Sequence, residues 1–140
     1  MSNRPAPSGQ SLARSRLLWI GYWLVLAVAT HVPVPRAAKV VPEGGDKVSH
    51  FLAFAILAYL GIRYFRARES YVRRGTLVFW TLACLAYAML DEVLQRYTHR
   101  TPSVADFLAD AAGVAAAVVL CVWRQRRSIH TTPAGGAESE

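Results

Sequence analysis

Apolar residues along the chain fall into four blocks, separated by short segments rich in charge, proline or glycine. The blocks cover residues 17–32, 48 to about 65, 76 to about 90 and 104–123. A membrane-spanning helix needs about 20 mainly apolar residues, and arginines at the end of a shorter block can extend it by reaching the interface. The pattern therefore predicts an all-α, polytopic membrane protein with four transmembrane helices.

Both ends of the chain lack such blocks. Residues 1–16 are polar and rich in proline and serine, and residues 128–140 are mostly small or polar, so both segments are expected to be disordered. One membrane domain, residues 17–127, lies between them. Ala27-Val28-Ala29 resembles a signal-peptidase site, but the length of the first block favours a retained helix.

Composition and charge agree with a membrane protein. Hydrophobic residues make up 54% of the chain and the net charge is +7. The basic residues stand in short runs beside the apolar blocks, which is typical of membrane topology signals. We therefore expect membrane lipids, and no nucleic acid, as partners. The two cysteines lie within apolar blocks and form no metal-binding CxxC motif.

The distribution of Lys and Arg predicts the orientation. Eleven of these 16 residues lie in the N-terminal, middle and C-terminal segments, which four spans place on one side of the membrane. The other five lie on the opposite side: Arg36, Lys39, Lys47, Arg96 and Arg100. The positive-inside rule then puts both termini in the cytoplasm.

Two carboxylates fall inside the fourth apolar block. An aspartate at the centre of a membrane helix costs about 2.5–3.5 kcal/mol on insertion scales, so its presence suggests a functional site. Asp106, Asp110, Gly113 and Ala117 form one helical stripe, which we expect to face a neighbouring helix. Asp106 also fits a capping box with Ser103, whereas Asp110 lies a full turn deeper.

Further polar residues fall at the same, outward end of the predicted bundle. They are Asp46, Lys47 and His50 at the start of the second block, Glu92 and Gln95 at the end of the third, and Arg100 in the loop before the fourth. A helix cap, an interfacial lysine and one buried histidine would also explain the first group. A solvated helix end would explain Glu92 and Gln95 equally well.

These motifs and their order resemble those of VanZ-like membrane proteins, a bacterial family named for a teicoplanin-resistance protein. The resemblance covers about residues 17–123. It rests on Asp46-Lys47-Val48-Ser49-His50-Phe51, Glu92-Val93-Leu94-Gln95, Arg100, and the segment from Asp106 to Gly113. Asp110 departs from the pattern, because the family usually has Asn there. The resemblance implies a multi-pass protein of the bacterial inner membrane.

Three functions fit these residues. The favoured one is binding of an amphipathic envelope molecule, linked by the resemblance to glycopeptide tolerance. The second is an enzyme acting on a lipid-linked envelope substrate. There His50 would be a general base or nucleophile, Asp106 or Glu92 would orient it, and Lys47 and Arg100 would hold phosphate. In the third, the polar groups only join the helices. The absence of a nucleophile elbow, P-loop or HExxH motif favours binding over catalysis.

The spacing does not require a metal or cofactor. His50, Glu92, Asp106 and Asp110 are chemically suitable ligands for a metal ion. Because no recognised ligand spacing joins them, we assign no metal site and no cofactor from the sequence.

The predicted orientation can be tested by cysteine labelling in intact cells. In a background with Cys84 and Cys121 replaced by Ala, a membrane-impermeant reagent should label single cysteines at residues 36–45 and 97–102. Cysteines at residues 68–73 should react only after the cells are permeabilised. Labelling of the middle loop in intact cells would contradict the orientation.

Overall fold

The computed structural model describes residues 9–31, 45–69, 71–95, 97 and 103–130. Four helices follow in order: α1 (Gly9–His31), α2 (Gly45–Glu69), α3 (Arg74–Gln95) and α4 (Val104–His130). All four are long and apolar enough to cross a membrane, and the described residues contain no strand. The predicted all-α, four-span architecture is confirmed, while the orientation of the termini stays a prediction.

The helices extend beyond the apolar blocks from which they were predicted. α1 begins at Gly9, within the segment expected to be disordered, and α4 continues to His130. Hydropathy marks only the part of a helix that crosses the bilayer, whereas Arg, Gln and Leu also favour helix outside it. α2 begins at Gly45, so Asp46 lies in the first turn and not at the predicted cap.

The most extensive helix pair joins α2 to α4, which begin at the same end of the bundle. Their backbones approach closely at Gly113. A Cβ atom at this position would meet the backbone oxygen of Phe51 and would lie 3.0 Å from the backbone nitrogen of Ala55. Small residues permit such contacts between membrane helices. Gly113 therefore sets the distance between α2 and α4.

The predicted stripe on α4 is confirmed as a buried face. Asp106, Asp110, Gly113 and Ala117 are all buried. Ala105, which lies just before this stripe, is exposed. This buried face meets the α2 backbone at Gly113.

Aromatic side chains join α1, α2 and α3 towards the other end of the bundle. The Trp19 ring stacks on Tyr64 with centroids 5.1 Å apart and meets Trp80 edge-on at 5.2 Å. The Trp80 indole N–H donates to the Ala58 carbonyl at 3.1 Å, and the ring covers Gly61. These contacts fix α1 and α3 against α2 without using charged groups.

The outer surface of the bundle is strongly apolar. Leu26 is the only buried residue among the described side chains of α1, and Leu17, Val25 and Val28 of that helix are more than half exposed. On α3, Phe79 is 66% exposed. Exposed apolar side chains on all sides suit a surface that contacts lipid, because lipid tails are as apolar as these residues.

Substitution of Gly113 should test the close contact of α2 and α4. We expect Gly113→Ala to lower the stability by about 1–3 kcal/mol, because the added methyl group meets backbone atoms that cannot rotate away. Gly21→Ala is the matched control, since Gly21 has nothing within 4 Å of the added atom and Ala favours helix. Thermal melting in detergent measures both. Equal melting temperatures for the two variants would contradict the packing described here.

Candidate functional site

Six polar residues are buried where the starts of α2 and α4 meet the end of α3. They are His50 of α2, Asp91, Glu92 and Gln95 of α3, and Asp106 and Asp110 of α4. We refer to these six residues as the polar cluster. The three helix ends bring them together although they are up to 60 positions apart in the sequence.

The centre of the polar cluster is a hydrogen bond between α2 and α4. His50 Nδ1 lies 3.0 Å from Asp110 Oδ1, and Asp110 is fully buried. A carboxylate can only accept, so Nδ1–H donates and the other ring nitrogen, Nε2, is left for a different partner. The sequence suggested Asp106 or Glu92 as the residue that orients His50, but Asp110 holds the ring.

Glu92 links the end of α3 to the start of α4. Its Oε2 accepts a hydrogen bond from the Ser103 backbone N–H at 2.9 Å, directly before the first turn of α4. In a capping box, the Asp106 side chain would accept from this same N–H group. The capping-box interpretation of Asp106 is therefore wrong, because the donor is already used by α3.

Asp91 is a buried residue that the site prediction missed. It is fully buried, and its Oδ2 accepts a hydrogen bond from Gln95 Nε2 at 3.0 Å. The four-residue separation of Asp91 and Gln95 on one helix is the signal that could have identified the pair. A solvated helix end was left open for Glu92 and Gln95, but both side chains are buried.

The other predicted site residues are Asp46, Lys47 and Arg100. Asp46 and Lys47 are exposed on the first turn of α2. A ligand atom of each of Asp46, His50 and Asp106 lies within 4.8 Å of the other two, and a second such group joins His50, Glu92 and Asp110. These distances suit binding of a cation. Arg100 lies outside the described residues.

Several carboxylate oxygens of the polar cluster are buried without a hydrogen-bond partner among the described residues. They are Glu92 Oε1, Asp106 Oδ1 and Asp110 Oδ2. Each lies on a side chain no more than 7% exposed. Buried polar atoms are normally paired, and leaving one unpaired costs roughly 1–3 kcal/mol or more for a charged group. The arrangement is therefore suited to receiving a hydrogen-bond donor or a cation.

Two cavities lie near the opposite end of the bundle. One, of about 600 Å³, is bounded by α3 and α4, with Arg74 and Arg126 in its wall. The other, of about 360 Å³, contains Arg63, Arg66 and Arg124 in its lining. Their basic walls distinguish them from the acidic polar cluster, so they are not part of the same site.

Comparison with known proteins identifies the family. The family model described as VanZ/LLP1 matches residues 8–125, a range that includes most of the four helices. The chain belongs to the VanZ/LLP1 family. No curated protein and no solved structure matches it. The family predicted from the motifs is thus confirmed, and the VanZ/LLP1 match includes every member of the polar cluster.

A double-mutant cycle should test the bond between His50 and Asp110. Asp110→Asn should melt close to wild type, because the amide oxygen can still accept from Nδ1–H. Asp110→Leu should cost roughly 1–3 kcal/mol, since it leaves a buried imidazole N–H unpaired. Combining Asp110→Leu with His50→Leu should cost less than the two single changes together, because both polar partners are then removed. Strictly additive melting shifts in detergent would contradict the pairing.

Proposed function

We propose that this VanZ/LLP1 protein binds the polar end of an amphipathic envelope molecule at the polar cluster. The observation that carries the proposal is the set of buried, unpartnered oxygens on Glu92, Asp106 and Asp110. A ligand that brings hydroxyl, amide or ammonium donors would pair these oxygens. We therefore infer a headgroup rich in hydrogen-bond donors.

The surface around the polar cluster supports an amphipathic ligand. Val48 and Leu52 of α2 and Val104 and Leu108 of α4 are each more than half exposed, close to the same helix ends. A molecule with an apolar tail can lie against these side chains in the lipid while its headgroup enters the polar cluster. A fully soluble ligand would leave this apolar surface unused.

The charge distribution supports an outward-facing site. The positive-inside rule puts both termini in the cytoplasm, so the helix ends that carry the polar cluster would face the outer side of a bacterial inner membrane. The family is named for a teicoplanin-resistance protein. We propose that binding of an envelope amphiphile by this protein raises glycopeptide tolerance.

Helix association alone accounts for only part of the polar cluster. The bond from His50 to Asp110 joins α2 to α4, and the bond from Ser103 to Glu92 joins α4 to α3. Hydrogen bonds between membrane helices are worth roughly 0.6–2 kcal/mol each. They leave Asp106 Oδ1 unexplained, since it has no partner among the described residues. A ligand-binding role explains this oxygen as well.

A membrane enzyme is the second candidate, favoured by one observation. The His50 ring is held by a carboxylate through Nδ1, which is the arrangement that orients an imidazole for general-base catalysis at Nε2. In that case, Nε2 would take a proton from water or from a substrate hydroxyl, and Asp110 would stabilise the charged ring. The substrate would be a lipid-linked envelope molecule.

Variants of Asp106 and His50 should separate these functions. We expect native mass spectrometry of the wild-type protein, purified in mild detergent from bacterial membranes, to show a retained amphiphile. Asp106→Asn should lose it, and cells expressing this variant should lose any gain in teicoplanin tolerance. Glu69→Gln, the same chemical change at the other end of α2, is the control and should behave like wild type.

The His50→Ala variant distinguishes binding from catalysis. If His50 only binds the headgroup, this variant should lose the retained amphiphile and the tolerance together. If His50 is a catalytic base, the variant should accumulate the intact substrate while retaining it. Retention of the same amphiphile by wild type, Asp106→Asn and His50→Ala, with unchanged tolerance, would disprove a site at the polar cluster.

A further inference from the structure

We infer that Asp46, His50 and Asp106 bind a divalent transition-metal ion at the outer edge of the polar cluster. The inference rests on the proposed function and deepens it, because the ion would lie at the same end of the bundle as the proposed ligand. The ion would pair Asp106 and bind one oxygen of the headgroup, whose hydrogen-bond donors would pair with Glu92 and Asp110. None of the sequence motifs required it, because the three ligands come from two helices.

The distances suit a single ion. One ligand atom from each of Asp46, His50 and Asp106 lies within 4.8 Å of the others. Ligand atoms about 2.1 Å from a shared ion are separated by roughly 3–4 Å, or slightly more when they lie opposite each other. Small rotations of the two carboxylates would therefore suffice. One imidazole with two carboxylates is a ligand set used for Zn²⁺, Mn²⁺ or Fe²⁺.

The unpartnered oxygen of Asp106 points to a ligand independently of these distances. Asp106 is 7% exposed, yet its Oδ1 has no hydrogen-bond partner among the described residues. The capping role that would have explained it is excluded by the bond between Ser103 and Glu92. A metal ion would pair this oxygen and offset the charge of Asp46 beside it.

Asp110 would position His50 as a metal ligand. A metal-binding histidine usually donates its other ring N–H to a carboxylate or carbonyl oxygen, which fixes the tautomer and the ring orientation. The bond from His50 Nδ1 to Asp110 has this form and leaves Nε2 for the ion. The Asn that the family usually has at this position could accept the same hydrogen bond, because its amide carries an oxygen.

Metal content and affinity provide the test. The wild-type protein in detergent is stripped with EDTA, titrated with Zn²⁺ or Mn²⁺, and analysed by inductively coupled plasma mass spectrometry. We expect one ion per chain in the wild type and in the Glu69→Gln control. Asp106→Asn and His50→Ala should bind about 100-fold more weakly, because the first replaces a charged carboxylate ligand with a neutral amide and the second removes the imidazole. Circular dichroism and gel filtration verify that the variants fold.

Substitutions of Asp110 distinguish positioning from folding. Asp110→Asn should retain the ion, because the ring is still held, whereas Asp110→Leu should weaken binding about 10- to 100-fold. If Glu92→Gln abolishes binding and Asp106→Asn does not, the ion lies in the group of His50, Glu92 and Asp110, and the inference is overturned. It is also overturned if the wild type binds no ion.

The two proposals can fail separately. If no ion binds but the amphiphile is still retained in an Asp106-dependent manner, the metal inference is wrong and the proposed function stands. If one ion binds through Asp46, His50 and Asp106 and no amphiphile is retained by any sample, the metal inference stands and the proposed function is wrong.

Discussion

The close approach of α2 and α4 at Gly113 is the constraint on which the rest of the structure depends. The backbone of α2 at Phe51 occupies the space that any side chain at residue 113 would need. His50 is the neighbour of Phe51, and Asp110 lies one turn before Gly113. Because Gly113 has no side chain, the two helices lie close enough for the imidazole and the carboxylate to form a hydrogen bond. A larger residue at this position would separate the helices and the polar pair together.

The bundle has two chemically different ends. Towards the ends that carry the arginines, aromatic rings join α1 to α2 and α3, and the two basic cavities lie close by. At the other end, carboxylates and one imidazole take the place of the rings. This division separates the polar cluster from the arginines at the opposite end, such as Arg63, Arg66 and Arg124. In the polar cluster, one oxygen each of Glu92, Asp106 and Asp110 has no hydrogen-bond partner among the described residues.

Burial of several carboxylates among apolar helices is costly, and the bonds within the bundle offset only part of that cost. Asp91 is paired with Gln95, Glu92 with the backbone of Ser103, and Asp110 with His50. Glu92 and Asp110 each use one oxygen in these bonds and Asp106 takes part in none of them, and an isolated charge in such surroundings costs several kcal/mol. The proposals for a headgroup and for a metal ion share this physical origin: the oxygens that remain need a donor or a cation.

Local sequence patterns were sufficient to predict much of the fold of this protein. The apolar blocks predicted four helices, the spacing of Asp106, Asp110, Gly113 and Ala117 predicted one buried face, and the motifs predicted the family. These features depend on hydropathy and on the 3.6-residue helical repeat, both of which can be read from neighbouring residues. The extent of each helix was less predictable, because polar residues continue a helix beyond the bilayer as readily as they end it.

Only the tertiary structure decided which groups pair across helices. Ser103 donates to Glu92 and not to Asp106, and His50 is held by Asp110 and not by Asp106. Asp91 is buried. All three features depend on how the helices are rotated and how far apart they lie. Those quantities are set by packing at a few points such as Gly113, where the backbones of α2 and α4 touch. Helical periodicity says which face a residue occupies, but the partner on the next helix is fixed only when the two helices are packed together.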